Sequence, residues 1–143
     1  MKLFSSDAKV EGLRQCSLFE RLSRADLARI AQVAEDVEVD ADYVLCSEGD
    51  TAREFYVIVE GQVDVRKGDH HLATLGPGDY FGELALLDHA TRTANVTAKT
   101  PLRFFVVTSE AFWPLIESTP QLAQELLRTV AKRARAAFSD PTS

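Results

Sequence analysis

The sequence has no long apolar run, little cysteine and no excess of positive charge. No stretch approaches the roughly 18 consecutive apolar residues of a membrane-spanning helix, and the first residues lack the apolar centre of a signal peptide. The two cysteines, Cys16 and Cys46, form no CxxC motif, so buried free thiols are expected rather than a disulfide or a metal site. These absences predict a soluble, cytoplasmic protein with no membrane insertion.

The charge balance also argues against nucleic-acid binding. With 16 Lys and Arg against 22 Asp and Glu, the net charge is −6, whereas a nucleic-acid binder usually carries a basic face or a basic total. The one basic cluster, KRAR at 132–135, lies near the end of a predicted helix, where positive charge complements the helix dipole. We therefore expect no direct nucleic-acid binding.

Helical patterns occupy the first part of the chain, 1–36. In SRADLARIAQVA, Ser23 is a predicted N-cap with Asp26 three residues later. An earlier short helix is predicted over 7–16. The apolar positions that follow the cap have helical spacing: Leu27, Ile30, Ala31 and Ala34.

In residues 37–107, apolar and polar positions alternate over short stretches, the pattern of short β-strands. Turn signals at Glu60–Gly61, at Lys67–Asp69 and at Gly76–Asp79 divide this region. Short strands with glycine-containing turns are typical of an antiparallel β-roll or jelly roll. The fold class is therefore α+β.

Residues 108–143 return to helical patterns. SEAFWPLIE predicts one helix, and Thr119 followed by Pro120 predicts the start of a second. An apolar stripe runs along the second helix: Leu122, Leu126, Leu127, Val130, Ala134 and Phe138. We predict a single domain, 1–143, built as a roll between N-terminal and C-terminal helices.

The segment GDYFGELALLDHATRTANV, 78–96, places one acid, Glu83, in the middle of a mostly apolar run, with Arg92 nine residues later between small residues. ELALL after a glycine predicts one short helix inside the roll, whose first N–H groups, on Leu84 and Ala85, are available to an anion. Arg92 has the donor fork that matches phosphate oxygens. Thr93 adds a hydroxyl.

Glu83 is a poor phosphate ligand because like charges repel. It is suited to accept a hydrogen bond from a hydroxyl beside the phosphate, such as a ribose 2′-OH. The plain alternative is that Glu83 and Arg92 pair with each other as a core ion pair.

FGELALLDHATRTANV, 81–96, resembles the phosphate-binding cassette of the cyclic nucleotide-binding domain superfamily, with Thr91 where proline is common. SLFERLSRADLARIA, EGD with FYVIVEGQVDV, and TPQLAQELLRTVAKRAR resemble the family's N-terminal helices, early roll and C-helix. The resemblance implies a ligand, cAMP or cGMP, with no cofactor and no metal.

The resemblance also implies a role for each matching residue. Gly82, Leu84 and Ala85 offer backbone donors to the phosphate. Arg92 pairs with its charge, Thr93 touches it, and Glu83 accepts from the ribose. On the C-helix, Arg133 resembles a base-capping arginine of some bacterial members, with Val130 and Leu127 on nearby turns.

The sequence favours a non-enzymatic bacterial sensor that binds cAMP, weakly preferred over cGMP, and signals through its flanking helices. Its effector is an unidentified protein or a further domain, and a homodimer is possible. A degenerate member acting as an interaction or dimerisation module remains open. So does a cupin-like metal enzyme, although the histidine spacing of cupins is missing. A DNA-binding regulator is disfavoured because only AAFSDPTS follows the C-helix.

Overall fold

A computed structural model describes residues 6–83 and 91–139. In these ranges, two helices precede the strands and two follow them. The helices are α1 Ser6–Arg14, α2 Arg24–Val33, α3 Ser109–Ser118 and α4 Pro120–Ser139. The strands are β1 Glu35–Val39, β2 Val44–Cys46, β3 Glu54–Glu60, β4 Val63–Lys67, β5 His70–Leu75, β6 Tyr80–Phe81, β7 Asn95–Ala98 and β8 Leu102–Thr108.

The strands form two antiparallel sheets, in the orders β1-β8-β3-β6 and β2-β7-β4-β5. The predicted turns are where the sequence places them, since β3 ends at Glu60 and β4 ends at Lys67. Gly61 has φ +90°, and a Cβ there would lie 2.2 Å from the Pro101 carbonyl oxygen, so this turn requires glycine. The predicted α+β fold with an antiparallel roll is confirmed.

Alternation along β3 and β8 divides the apolar interior into two clusters. Phe55 and Val57 face the helices, together with Phe105 and Val107 of β8. The intervening residues of both strands face the interior of the roll: Tyr56, Ile58, Phe104 and Val106. One sheet therefore joins the helical layer to the roll, because successive side chains of a strand point to opposite faces.

The helices α2 and α3 each begin after a residue whose side chain acts as an N-cap. The Ser23 hydroxyl accepts from the Asp26 N–H at 3.1 Å, so the predicted N-cap is confirmed. Thr108 caps α3 in the same way, accepting from Ala111 at 3.2 Å, although the sequence pattern did not single it out. α4 begins at Pro120, as predicted.

Some boundaries differ from the prediction. α1 ends at Arg14 rather than at Cys16, and Cys16 lies in the following turn, where its N–H donates to the Leu13 carbonyl at 3.0 Å. The strands begin at Glu35 rather than at 37. α4 continues to Ser139, so the basic cluster at 132–135 is not in the last turn and its expected dipole role there is wrong.

The predicted stripe on α4 is two faces rather than one. Leu122 and Leu126 are buried in the helical cluster, whereas Leu127 is 69% exposed and Phe138 is 91% exposed. At about 100° per residue, the exposed set is turned roughly 130° from the buried set. α4 thus packs on the molecule through one side and presents a second apolar side to solvent.

Both cysteines are free and buried, as predicted. Burial raises the pKa of the Cys16 thiol to about 12. No helix within 6–83 and 91–139 combines the length and the apolar character needed to cross a bilayer.

Candidate functional site

Gly82, directly after β6, fixes the geometry at the start of the 81–96 segment. Its φ is +84°, a region that favours glycine. A Cβ there would lie 2.6 Å from the Glu54 carbonyl oxygen and 2.9 Å from Nη1 of Arg92. The absence of a side chain at Gly82 is what lets the Arg92 guanidinium approach the backbone here.

Arg92 is held at both its backbone and its side chain. Its N–H donates to the Asp50 carbonyl at 2.7 Å, and its carbonyl accepts from the Gly49 N–H at 3.0 Å. Its Nη2 donates to the Glu54 carbonyl at 2.8 Å. A guanidinium has five N–H groups, and this bond uses one of them to fix the orientation of the side chain.

Tyr56 supports Arg92 from inside the roll. The guanidinium carbon lies 5.8 Å from the centre of the Tyr56 ring, within cation–π range. The ring stacks on Phe81 at 4.6 Å between centroids, and its hydroxyl donates to Glu54 Oε1 at 3.1 Å. Burial, with smaller contributions from Cys46 and Glu54, raises the pKa of Tyr56 above its ordinary value.

Tyr56 and Glu54 are site residues that sequence reasoning missed. The alternation of β3 was a usable signal, because it places Tyr56 on the face opposite Phe55 and Val57. No sequence signal indicates that the Glu54 carbonyl would accept from Arg92, since that bond depends on how the 49–54 segment lies against 91–92.

Glu83 is only 2% exposed and forms an ion pair with Arg133 of α4. The Arg133 side chain is 54% exposed, so the pair joins the interior of the site to the surface. Among the described residues, no ion pair joins Glu83 to Arg92. The structure therefore does not contain the alternative Glu83–Arg92 ion pair.

A groove of about 250 Å³ adjoins this ion pair. The turn after α1 and one side of α4 form its walls, and Tyr80 lies between them. Burial raises the pKa of Tyr80, an effect partly offset by the Thr129 side chain and by the positive charge of Arg133. Charged side chains line it: Glu20, Arg21, Glu125, Arg128, Lys132 and Arg133.

The structure brings together part of the predicted site. Gly82 lies against Arg92, and Glu83 lies against Arg133. Thr93 is exposed beside Arg92 in sequence, and Val130 is half-buried on α4. Leu127, the other predicted base-capping residue, is on the exposed side of α4 and does not join them.

Two predicted phosphate-binding residues, Leu84 and Ala85, lie outside the described residues, as does the short helix predicted to carry them. In the described part of the chain, no three His, Cys, Asp or Glu side chains are grouped to hold a metal ion. Among the described residues of the 81–96 segment, the charged side chains are Glu83 and Arg92.

A helix-flanked antiparallel roll that presents one guanidinium against a glycine, with a buried acid on the next residue, is the architecture of a cyclic nucleotide-binding domain. The chain belongs to that family. The family model described as "Cyclic nucleotide-binding domain" matches residues 36–119, which include β2 to β8, all of β1 except Glu35, and α3.

Known relatives and solved structures support this family assignment. The chain is 40% identical over 113 residues to a cAMP-dependent protein kinase regulatory subunit of Mycosarcoma maydis, covering 73% of this chain and 22% of that protein. It is 34% identical over 116 residues to a cyclic nucleotide-gated potassium channel of Rhizobium etli, covering 81% and 32%. The chain spans about a fifth to a third of these relatives.

One similar structure is the N-terminal domain of a transcriptional regulator from Streptomyces coelicolor. It matches with a TM-score of 0.75 and 32% identity, covering 87% of this chain and 93% of that one. A kinase subunit, a channel and a regulator thus share this domain, which makes it a regulatory module in otherwise different proteins.

Proposed function

We propose that the chain is one non-enzymatic regulatory domain that binds a cyclic nucleotide, cAMP in preference to cGMP. The observation that carries the proposal is the approach of Arg92 Nη1 to the backbone at Gly82. A guanidinium held beside a glycine backbone suits a singly charged cyclic phosphate. Binding is passed through the flanking helices to an effector protein or a further domain.

Each site residue has a role in this proposal. Arg92 pairs with the phosphate, while the backbone N–H groups of Gly82, Leu84 and Ala85 donate to its oxygens. Thr93, exposed beside Arg92, adds a hydroxyl. Glu83 accepts from the ribose 2′-OH, and Arg133 and Val130 of α4 are the predicted contacts of the base, whereas Leu127, on the exposed side of α4, takes no part. No cofactor or nucleic acid takes part.

The preference for cAMP rests on the names of the relatives. They include the cAMP-dependent kinase regulatory subunit and a cAMP-activated transcriptional regulator of Mycobacterium tuberculosis, 28% identical over 130 residues. Location in the cytoplasm is part of the proposal, and two free thiols fit a reducing compartment.

Calorimetric titration with cAMP, cGMP and 5′-AMP tests the proposal. We expect cAMP to bind more tightly than cGMP, as the relatives suggest. We expect 5′-AMP to bind least tightly, because its phosphate monoester carries more negative charge than the singly charged cyclic ester of either cyclic nucleotide. Arg92→Ala removes charge-assisted hydrogen bonds of about 1.5–3 kcal/mol, which weakens binding roughly ten- to hundredfold.

Arg66→Ala is the matched control, because Arg66 is an exposed arginine on β4. It should leave the affinity unchanged. Equal affinities for Arg92→Ala and Arg66→Ala would contradict the phosphate role of Arg92.

The role of Glu83 is tested with 2′-deoxy-cAMP. The unmodified protein should bind it more weakly than cAMP, since one hydrogen bond to a carboxylate is lost. In Glu83→Ala the two ligands should bind alike. A difference between them that persists in Glu83→Ala would remove Glu83 from the ribose contact.

The Glu83–Arg133 ion pair favours a second candidate function. If Arg133 holds Glu83 permanently, the site is closed by the protein's own side chain and the domain serves as an interaction or dimerisation module. No heat of binding with either cyclic nucleotide, in a folded protein, would favour this second function.

A further inference from the structure

The 47–54 segment, which leads from β2 into β3, holds Arg92 by its backbone and by its side chain. The Gly49 N–H donates to the Arg92 carbonyl at 3.0 Å, and the Arg92 N–H donates to the Asp50 carbonyl at 2.7 Å. The Glu54 carbonyl accepts from Arg92 Nη2 at 2.8 Å. The position of this segment therefore sets the position of the guanidinium.

Regular pairing between β2 and β7 stops before Arg92 is reached. The last paired positions are Cys46 and Val96. In this described part of the chain, the next main-chain bond between the two segments joins Gly49 to Arg92. Two residues lie in the gap on the first segment and three on the second, so one backbone is a residue longer, as in a β-bulge.

The side chain of Asn95 fills this gap. Its Oδ1 accepts from the Glu48 N–H at 2.8 Å, and its Nδ2 donates to Glu48 Oε1 at 3.2 Å. The amide thus acts towards Glu48 as a peptide group would, with one acceptor and one donor, and only this orientation of the amide satisfies both contacts. Glu48 Oε1 also accepts from the Gly68 N–H at 2.8 Å, which ties the same carboxylate to the turn between β4 and β5.

We propose that Glu48 and Asn95 are positioning residues for Arg92. Their paired hydrogen bonds hold the start of the 47–54 segment against the start of β7, and the segment holds Arg92 in the orientation that receives the phosphate. The proposal rests on the proposed function, because that function assigns Arg92 to the phosphate. The apparent affinity for the ligand then depends on the fraction of molecules in which Arg92 is in place.

Glu48→Ala and Glu48→Gln separate this role from the charge of Glu48. A carboxylate repels a bound phosphate, so charge alone predicts that both substitutions tighten cAMP binding or leave it unchanged. Positioning predicts that Glu48→Ala weakens cAMP binding by about three- to tenfold, because the hydrogen bonds of the carboxylate are lost. Glu48→Gln keeps an oxygen acceptor and should bind cAMP within about twofold of the unmodified protein.

Asn95→Asp tests the same contact from the other side. It keeps the Oδ1 acceptor and places a second carboxylate against Glu48 Oε1, so the affinity for cAMP should fall. Combining it with Glu48→Gln removes the repulsion and restores the net charge of the unmodified protein, so the double variant should recover most of the lost affinity. A double variant that binds no better than Asn95→Asp would contradict the contact.

Dependence on Arg92 distinguishes positioning from a direct contact with the ligand. In the Arg92→Ala protein, Glu48→Ala should cause no further loss of cAMP affinity, because the side chain that it positions is absent. Losses that multiply in the double variant would show that Glu48 acts independently of Arg92, which overturns the proposal.

Amide hydrogen exchange followed by NMR, without nucleotide, tests the positioning apart from the ligand. The Gly49 and Arg92 N–H groups should exchange faster in Glu48→Ala than in the unmodified protein or in Glu48→Gln. Glu11→Ala is the matched control, since Glu11 is an exposed glutamate on α1 that accepts from Arg24 at 3.2 Å. It removes the same charge and should change neither the exchange nor the cAMP affinity.

The outcomes separate this proposal from the proposed function. Unchanged exchange in Glu48→Ala overturns the positioning role, even in a protein that binds cAMP. A cAMP affinity of Glu48→Ala equal to or above that of the unmodified protein also overturns it. Faster exchange in Glu48→Ala, in a protein that binds no cyclic nucleotide, retains the hold on Arg92 and rejects the proposed ligand.

Discussion

Gly82 is the residue whose replacement best tests the shape of the site. In Gly82→Ala, the methyl group would meet the Glu54 carbonyl oxygen at 2.6 Å and Arg92 Nη1 at 2.9 Å, at a φ of +84°. We expect unfolding free energy to fall by about 1–3 kcal/mol and nucleotide affinity to fall as Arg92 is displaced. Urea unfolding and calorimetric titration measure the two effects.

Gly49→Ala separates backbone strain from the clash. Gly49 has a similar φ, +89°, with nothing within 4 Å of the position that a methyl group would take. Gly49→Ala should lower the free energy of unfolding and leave the nucleotide affinity unchanged. If Gly82→Ala binds nucleotide as Gly49→Ala does, the close approach of Arg92 to Gly82 has no role in binding.

Cys16 gives the protein a dependence of stability on alkaline pH. Its thiol is fully buried and its pKa is raised from 9.0 to about 12 by burial. Above pH 9 the unfolded state loses this proton while the folded state keeps it, which favours unfolding. The contribution of Cys16 to the free energy of unfolding is therefore complete below pH 9 and is lost as the pH rises towards 12. The free energy of unfolding should fall over this window.

The measurement is urea unfolding at several values between pH 8 and pH 11, where Cys16→Ala is the comparison. Alanine leaves a cavity and lowers stability at every pH, so the slope with pH is the quantity compared. We expect a shallower slope in Cys16→Ala, and parallel curves would contradict the burial effect.

At the scale of single residues, the sequence predicted the charges of the site and not their partners. Glu83 and Arg92 stand out because they interrupt an apolar run. Tyr56 and the Glu54 carbonyl reach Arg92 only through the positions of β3 and the 49–54 segment. The Glu83–Arg133 contact depends on how α4 lies on the roll, which no local pattern encodes.

The N-cap of α3 can be tested by substituting Thr108. Thr108 ends β8 and its hydroxyl accepts from the Ala111 N–H at 3.2 Å. Thr108→Ala removes this N-cap and should lower the free energy of unfolding by about 1 kcal/mol. Thr108→Asp, which keeps an acceptor at the cap, should be close to the unmodified protein in urea unfolding. Equal losses in both variants would show that the hydroxyl does not act as a cap.

Elements were predictable where local chemistry decides them. The cap at Ser23, the turns that end β3 and β4, and the Thr119–Pro120 junction all depend on a few adjacent residues. The ion pair between Asp36 of β1 and the buried Arg103 of β8, at 2.8 Å, was not predictable. It arises from the antiparallel pairing of strands far apart in sequence.

α4 shows the same distinction between local and long-range information. Its start was predictable from the sequence, but its end was not, and one apolar stripe was predicted where the structure has two apolar sides. Leu122 and Leu126 face the core, while Leu127 and Phe138 face solvent. Helical spacing alone does not tell which apolar side the rest of the molecule will cover.

At the scale of the whole molecule, the exposed side of α4 predicts self-association. Leu127, Ala131, Ala134 and Phe138 are exposed and follow spacings of four, three and four, the pattern of a coiled-coil seam. Exposed apolar stripes of this kind mark contact surfaces. Because this side is turned about 130° from the one carrying Arg133, two copies can pair without breaking the Glu83–Arg133 contact. We therefore expect a homodimer through α4, with or without nucleotide.

Sedimentation velocity over a wide concentration range measures this association. Combining Leu127→Glu with Phe138→Glu places two charges on the seam and should give a monomer, because a buried carboxylate in a helix pair has no partner. Ala136→Glu is the matched control, since Ala136 is exposed on the opposite side of α4 and should leave the dimer intact. A protein that stays monomeric at every concentration would mean that two copies do not cover this side of α4. Retention of the dimer in the double variant would place its interface elsewhere on the molecule.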